Sequence, residues 1–120
     1  MSFINAELAV YTLLRNAGYN VALEVPASLA EPIVWIMKTG GQRVGVFDMV
    51  RLQINVIDSH RQNGRDLAEE VYDLLLDSPH FVPGMGLIDH VRSEGSPVEV
   101  PFKDQLKNYL FTIAVESRES

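Results

Sequence analysis

The sequence predicts an α+β fold: one domain spanning 1–120, with a mixed, mainly antiparallel sheet carrying two helices on one side. Three observations lead there. Apolar residues recur at helical spacing in two separate stretches, alternate with period two in several others, and the strand-like stretches come in runs rather than strictly between helices. The order read along the chain is α-β-β-β-α-β-β. A length of 120 residues fits one domain, with roughly two thirds of the chain's surface buried on folding.

The first helix rests on Ile4, Leu8, Tyr11 and Leu14, widened by Val10, Leu13 and Ala17. Ser2 is placed to cap its start, and Gly18 sits where the chain leaves a helix with positive φ. Val21, Leu23 and Val25 alternate as a strand ended by Pro26, and a loop is expected from there to Pro32. Ile33-Val34-Trp35-Ile36-Met37 is a continuous apolar run, so both its faces are expected to be covered. Trp35 shares its phase with Ile33 and Met37, and core packing is its expected role.

Thr39-Gly40-Gly41-Gln42 then supplies the residues of a hairpin turn. Beyond it Val44, Val46, Val50, Leu52, Ile54 and Val56 hold one strand phase, broken at Asp48. A strand that long either bends there or projects from the sheet as a hairpin arm. The second helix is expected from about Gly64 to Leu76, with Leu67, Ala68, Val71, Leu74 and Leu75 inward. Its wet face is acidic: Asp66, Glu69, Glu70, Asp73 and Asp77. After Ser78-Pro79 and a Gly/Pro loop, residues 87–93 read as a strand and 94–105, with two prolines, as an irregular connection. The last strand places Tyr109, Phe111, Ile113 and Val115 on one face, and Leu110, Thr112 and Ala114 on the other. Two strands without a clearly polar face point to a second layer or another subunit.

Composition narrows function by exclusion. The chain has no cysteine, which removes disulfides, thiolate metal sites and thiol nucleophiles. A net charge of -6 argues against a protein that coats nucleic acid. Residues 1–60 contribute -1 and 61–120 contribute -5, so the acidity belongs to the second half. No stretch approaches the ~18 apolar residues of a membrane span. With no secretion or lipidation signal in view, a soluble protein without membrane contact is expected.

No motif carries chemistry. The glycines at 40 and 41 lack the Lys-Ser/Thr ending of a phosphate loop and lead into a strand. Asp58, His60 and Asp66 superficially resemble a metal cluster, but lie on different elements and offer too few ligands. A solvated loop histidine is the expectation for His60. No catalytic residue, metal ligand or cofactor is assigned, and no enzyme is expected.

The layout resembles the tail terminator proteins of long-tailed bacteriophages, especially the small ones of phages of actinobacteria. The likeness is carried by Val50-Arg51-Leu52-Gln53-Ile54-Asn55-Val56, by the helix Arg65-Asp66-Leu67-Ala68-Glu69-Glu70-Val71-Tyr72-Asp73-Leu74-Leu75, and by the late strand Asn108-Tyr109-Leu110-Phe111-Thr112-Ile113-Ala114-Val115. It lies in element order and apolar pattern, over nearly the whole chain. The resemblance implies a virion protein assembled in the host bacterial cytoplasm. It implies a homo-oligomer, a hexameric ring, that caps the tail tube protein, stops its polymerisation and meets the head-side neck or connector protein. DNA would pass through without specific binding.

Two surfaces become candidates. The arm around Thr39, Gly40, Gly41, Gln42 and Arg43 is a candidate contact with a neighbouring subunit or the tube. The acidic residues Asp66, Glu69, Glu70, Asp73 and Asp77 are a candidate channel surface. A head-tail connector protein is the alternative reading, and a small oligomeric binding module a further one.

Overall fold

The computed structural model describes residues 3–24, 32–101 and 106–118. Its element order is α1 (Ala6–Asn16), β1 (Val21–Ala22), β2 (Ile33–Val44), β3 (Phe47–Asp58), α2 (Arg61–Leu76), β4 (His80–Val82), β5 (Gly86–Ile88), β6 (His90–Pro101) and β7 (Lys107–Arg118). The predicted class and order hold. A two-stranded sheet, β4–β5, adds to them.

Five strands form the main sheet in the order β1-β2-β3-β7-β6. The β1–β2 pair is parallel and the others antiparallel, which makes the sheet mixed and mainly antiparallel. Four strands are 12 residues long. At the usual rise that is about 40 Å of strand, and it accounts for the 46 Å long axis against 25 Å in the other two directions.

Alternation on the central strands sends one set of side chains to the helices. Val34, Ile36, Leu52, Ile54, Val56, Phe111, Ile113 and Val115 join Val10 and Leu14 of α1 and Ala68, Val71 and Leu75 of α2 in one buried cluster. Tyr72 of α2 meets Phe111 edge-on, with ring centroids 5.2 Å apart and planes at 78°. Fully burying each large apolar side chain stabilises the fold by about 1.5–3 kcal/mol.

Several sequence expectations change in the structure. Asn5 caps α1, its side chain accepting from the Leu8 amide at 3.1 Å; Ser2 lies outside the described residues. Gly18 does take positive φ, at 99°. Of the strand expected over 21–25 only Val21 and Ala22 pair, with Val34 and Trp35, and Val25 and most of the following loop lie outside the described residues.

Helix α2 starts at Arg61, three residues before Gly64. Gly64 is a buried packing position, where an added Cβ would stand 3.0 Å from the Tyr109 ring. The stretch read as irregular after residue 93 is β-structure as far as Pro101. Its prolines are tolerated because β6 is an edge strand, bulged between Ser93 and Gly95 and again before Val98.

Trp35 is not part of the helix-facing core. Its neighbours Val34 and Ile36 face the helices, so Trp35 lies half-buried on the opposite face, in phase with Ile33 and Met37. That face has its own buried residues: Ile33, Ile57 and Ala114, together with Asn55 and Asn108. The two amides are linked, Asn108 Nδ2 donating to Asn55 Oδ1 at 3.0 Å, while Asn55 Nδ2 donates to the Trp35 carbonyl at 3.3 Å.

Candidate interaction surfaces

The arm is built by β2 and β3. Thr39, Gly40, Gly41, Gln42 and Arg43, read as the arm's turn and flank, all lie inside β2, and the turn is Gly45-Val46. Thr39 is the extra residue of a bulge between Lys38 and Gly40, and its hydroxyl donates to the Arg51 carbonyl at 3.4 Å. Gly41 has φ of 152° and passes so close to β3 that a Cβ would fall 2.4 Å from the Met49 carbonyl oxygen. A second glycine in this run serves a close backbone approach, which sequence pattern alone does not separate from a turn. At the true turn Gly45 has φ of 62°, the placement that a two-residue hairpin loop with glycine first requires.

The arm is not a free two-stranded ribbon. β7 pairs with β3 as far as Arg118 opposite Phe47, which leaves the outer edge of β2 unpaired from Ile36 to Val44 among the described residues. The tip is anchored from the side: the Arg43 guanidinium lies over the Phe3 ring, 4.4 Å from its centroid, and faces Asp48 at 3.5 Å. Arg118 covers the Phe47 ring at 5.4 Å.

Apolar side chains are nonetheless exposed at this end. Val44, Val46 and Phe47 are 63%, 55% and 43% exposed. Phe81 and Leu87, opposed across β4–β5, are also exposed. They lie at the same end of the sheet, since Asp89, just after β5, donates its amide to the Glu116 carbonyl and accepts the Arg118 amide on Oδ2. Phe81, Leu87 and Val46 are surface residues that the sequence pattern does not single out. Phe81 and Leu87 stand symmetrically about the Pro83-Gly84-Met85 turn, two residues from either end, which is the available signal for a small hairpin.

All five acidic candidates, Asp66, Glu69, Glu70, Asp73 and Asp77, are exposed on or just past α2. They do not act alike. Glu70 accepts the Tyr19 hydroxyl and ties α2 to the segment after α1. Burial and that carboxylate together push the Tyr19 hydroxyl up to about 12. Asp66 accepts from Gln62 at 2.9 Å, and Asp77 ends the helix.

At the start of α2, Arg61, Gln62, Arg65 and Glu69 border a cavity of about 340 Å³ with Pro97, Glu99 and Tyr109. Tyr109 donates to Glu99 Oε1 at 2.9 Å, and Arg61 reaches the same oxygen at 2.9 Å. The Tyr109 hydroxyl holds Glu99 below the usual carboxylate range, assisted by the Arg61 and Lys107 charges. Burial in turn raises Tyr109, reinforced by Glu99. This network clamps α2 to β6.

His60 is exposed at the helix N-cap, and its amide donates to the buried Asp58 at 3.0 Å. Asp66 does not join them. Among the described residues no three His, Asp or Glu side chains come together as a metal site. His80 Nε2 lies 2.9 Å from the Leu75 carbonyl, and His90 Nδ1 lies 3.3 Å from Ser78 Oγ. No helix among the described residues is long and apolar enough to cross a membrane.

No family model and no curated protein matches the chain. Among solved structures, a chain of the "Virion of native gene transfer agent (GTA) particle" is similar to it, with a TM-score of 0.66 at 14% sequence identity. The similarity covers 93% of each chain. At that identity it shows a shared fold.

Proposed function

We propose that the chain is a non-catalytic structural protein of a phage-like virion, and that it works as a tail terminator. In this reading copies form a hexameric ring on the last ring of the tail tube protein, halt its polymerisation and present a surface to the head-side neck protein. The observation that carries it is the fold likeness over 93% of both chains to a component of a virion particle. The element order that resembles tail terminators supports the narrower role.

The side-chain surface suits the assignment. An exposed apolar end and an open strand edge serve protein contacts better than catalysis. The acidic residues Asp66, Glu69 and Asp73 stand exposed, and lining a passage with them would let DNA slide without adhering.

Electron microscopy of the chain mixed with its tail tube protein tests this reading. A ring at one end of each tube is the expected result. Binding to the portal-side adaptor with bare tube ends would overturn it in favour of a head-tail connector. A dimer with neither affinity would overturn it in favour of a small binding module.

A further inference from the structure

We infer that the open edge of β2 takes up an extended segment of a partner protein in which acidic and apolar residues alternate. The inference rests on the arm being a contact element and names the chemistry of what it contacts.

The backbone supplies the first observation. Val34 donates its amide toward β1, to the Asn20 carbonyl at 2.8 Å. By strand alternation Ile36 and Lys38 also turn their amides outward. The extra residue at Thr39 reverses the parity, so Gly41 and Arg43 point outward next. That phase leaves Val44 and Phe47 as the hydrogen-bonded pair closing the Gly45-Val46 turn, as a two-residue loop requires. Beyond Trp35 no strand among the described residues pairs with this edge. The other edge of the sheet, β6, is broken by two bulges and by Pro97 and Pro101, which blunt it against strand addition.

Side chains decide what kind of strand fits. Lys38 and Arg43 are the charged residues of β2, and both face the helix side of the sheet. Lys38 is exposed and has no ion-pair partner among the described residues, while Arg43 is 66% exposed above its contact with Asp48. Carboxylates on an added strand would meet these cations. Pairing the edge with itself in a second copy would bring cations together with no anion on either edge, which argues for a different partner. On the opposite face, Gln42, Val44, Phe47, Met49, Arg92 and Glu116 border a cavity of about 280 Å³. Alternate residues of an added strand point to opposite faces, so its carboxylates would face Lys38 and Arg43 while its apolar side chains lie beside Val44 and this cavity.

The test uses the full chain and a capped octapeptide of alternating valine and glutamate, with hydrogen–deuterium exchange read by mass spectrometry and affinity by fluorescence polarisation. In the free protein the β2 edge at 36–44 exchanges readily at its outward amides. With the peptide, protection rises there, and a lysine-for-glutamate version binds at least tenfold more weakly. Lys38→Glu, a change on an exposed side chain, narrows or reverses that preference. An edge already protected in the free chain, protection elsewhere, or equal binding of the two peptides would each overturn the inference. Such a failure leaves the tube-capping reading standing, because that is read from rings on tubes.

Discussion

The two halves of the β2–β3 ribbon are continuous strands with opposite fates. In the half built from Ile33, Val34, Ile36, Leu52, Ile54, Val56 and Ile57, every one of these side chains is buried. In the half built from residues 40–49, Val44, Val46 and Phe47 stand exposed although they are as apolar as their counterparts. Strand propensity is lower in the arm, which holds Gly40, Gly41, Gly45 and Asp48, yet both halves pair as strands. Coverage differs: α1 and α2 lie over the first half, while the arm outruns the helices. One half makes the fold, and the other is free to make contacts.

Substitutions can break this contrast in order of size. Phe111→Ala, beneath Tyr72 on the covered side, removes a fully packed ring and is expected to cost about 3–5 kcal/mol in urea unfolding. Gly41→Ala places a Cβ against the Met49 carbonyl at an unfavourable φ and is expected to cost about 1–3 kcal/mol. Its signature is faster amide exchange confined to the arm, with the helix-facing core still protected.

Tyr19→Phe acts between the helices and shows itself through pH. The folded-state pKa of Tyr19 is raised from 10.0 to about 12, so its contribution is complete below pH 10 and is lost as pH climbs to 12. Over that window the variant should lose less stability than the parent chain, as measured by thermal unfolding at stepped pH. Equal losses would detach Tyr19 from Glu70. Val46→Asp, at the exposed turn, sits at the small end of the scale, with unfolding free energy expected within about 0.5 kcal/mol of the parent.

The covered half was legible in the sequence because burial writes a period into it. Val50, Leu52, Ile54 and Val56 alternate cleanly, and their inward phase is the one observed. The arm was legible as a long strand with a hairpin, but its turn was not. Gly40-Gly41 carries the stronger local turn signal, while Gly45-Val46 hides an apolar residue in the real one. Gly64 misled in the same way, since its small size answers to the Tyr109 ring 45 residues later. Pro97 suggested a loop because edge position, which makes proline acceptable, is a property of the finished sheet. The acidic stripe was read correctly as exposed, and the apolar end was not read at all, since its parts meet only through the pairing of distant strands.

The division of the ribbon into a folding half and a contact half is tested most directly by tail tube length. Tube protein should be polymerised with the parent chain and with the doubly substituted Val46→Asp, Phe47→Ser variant, and tube lengths measured by electron microscopy. The parent chain is predicted to stop growth and leave capped tubes, while the variant, with its circular dichroism unchanged, leaves tubes that keep growing. A variant that caps tubes as well as the parent chain would contradict the account.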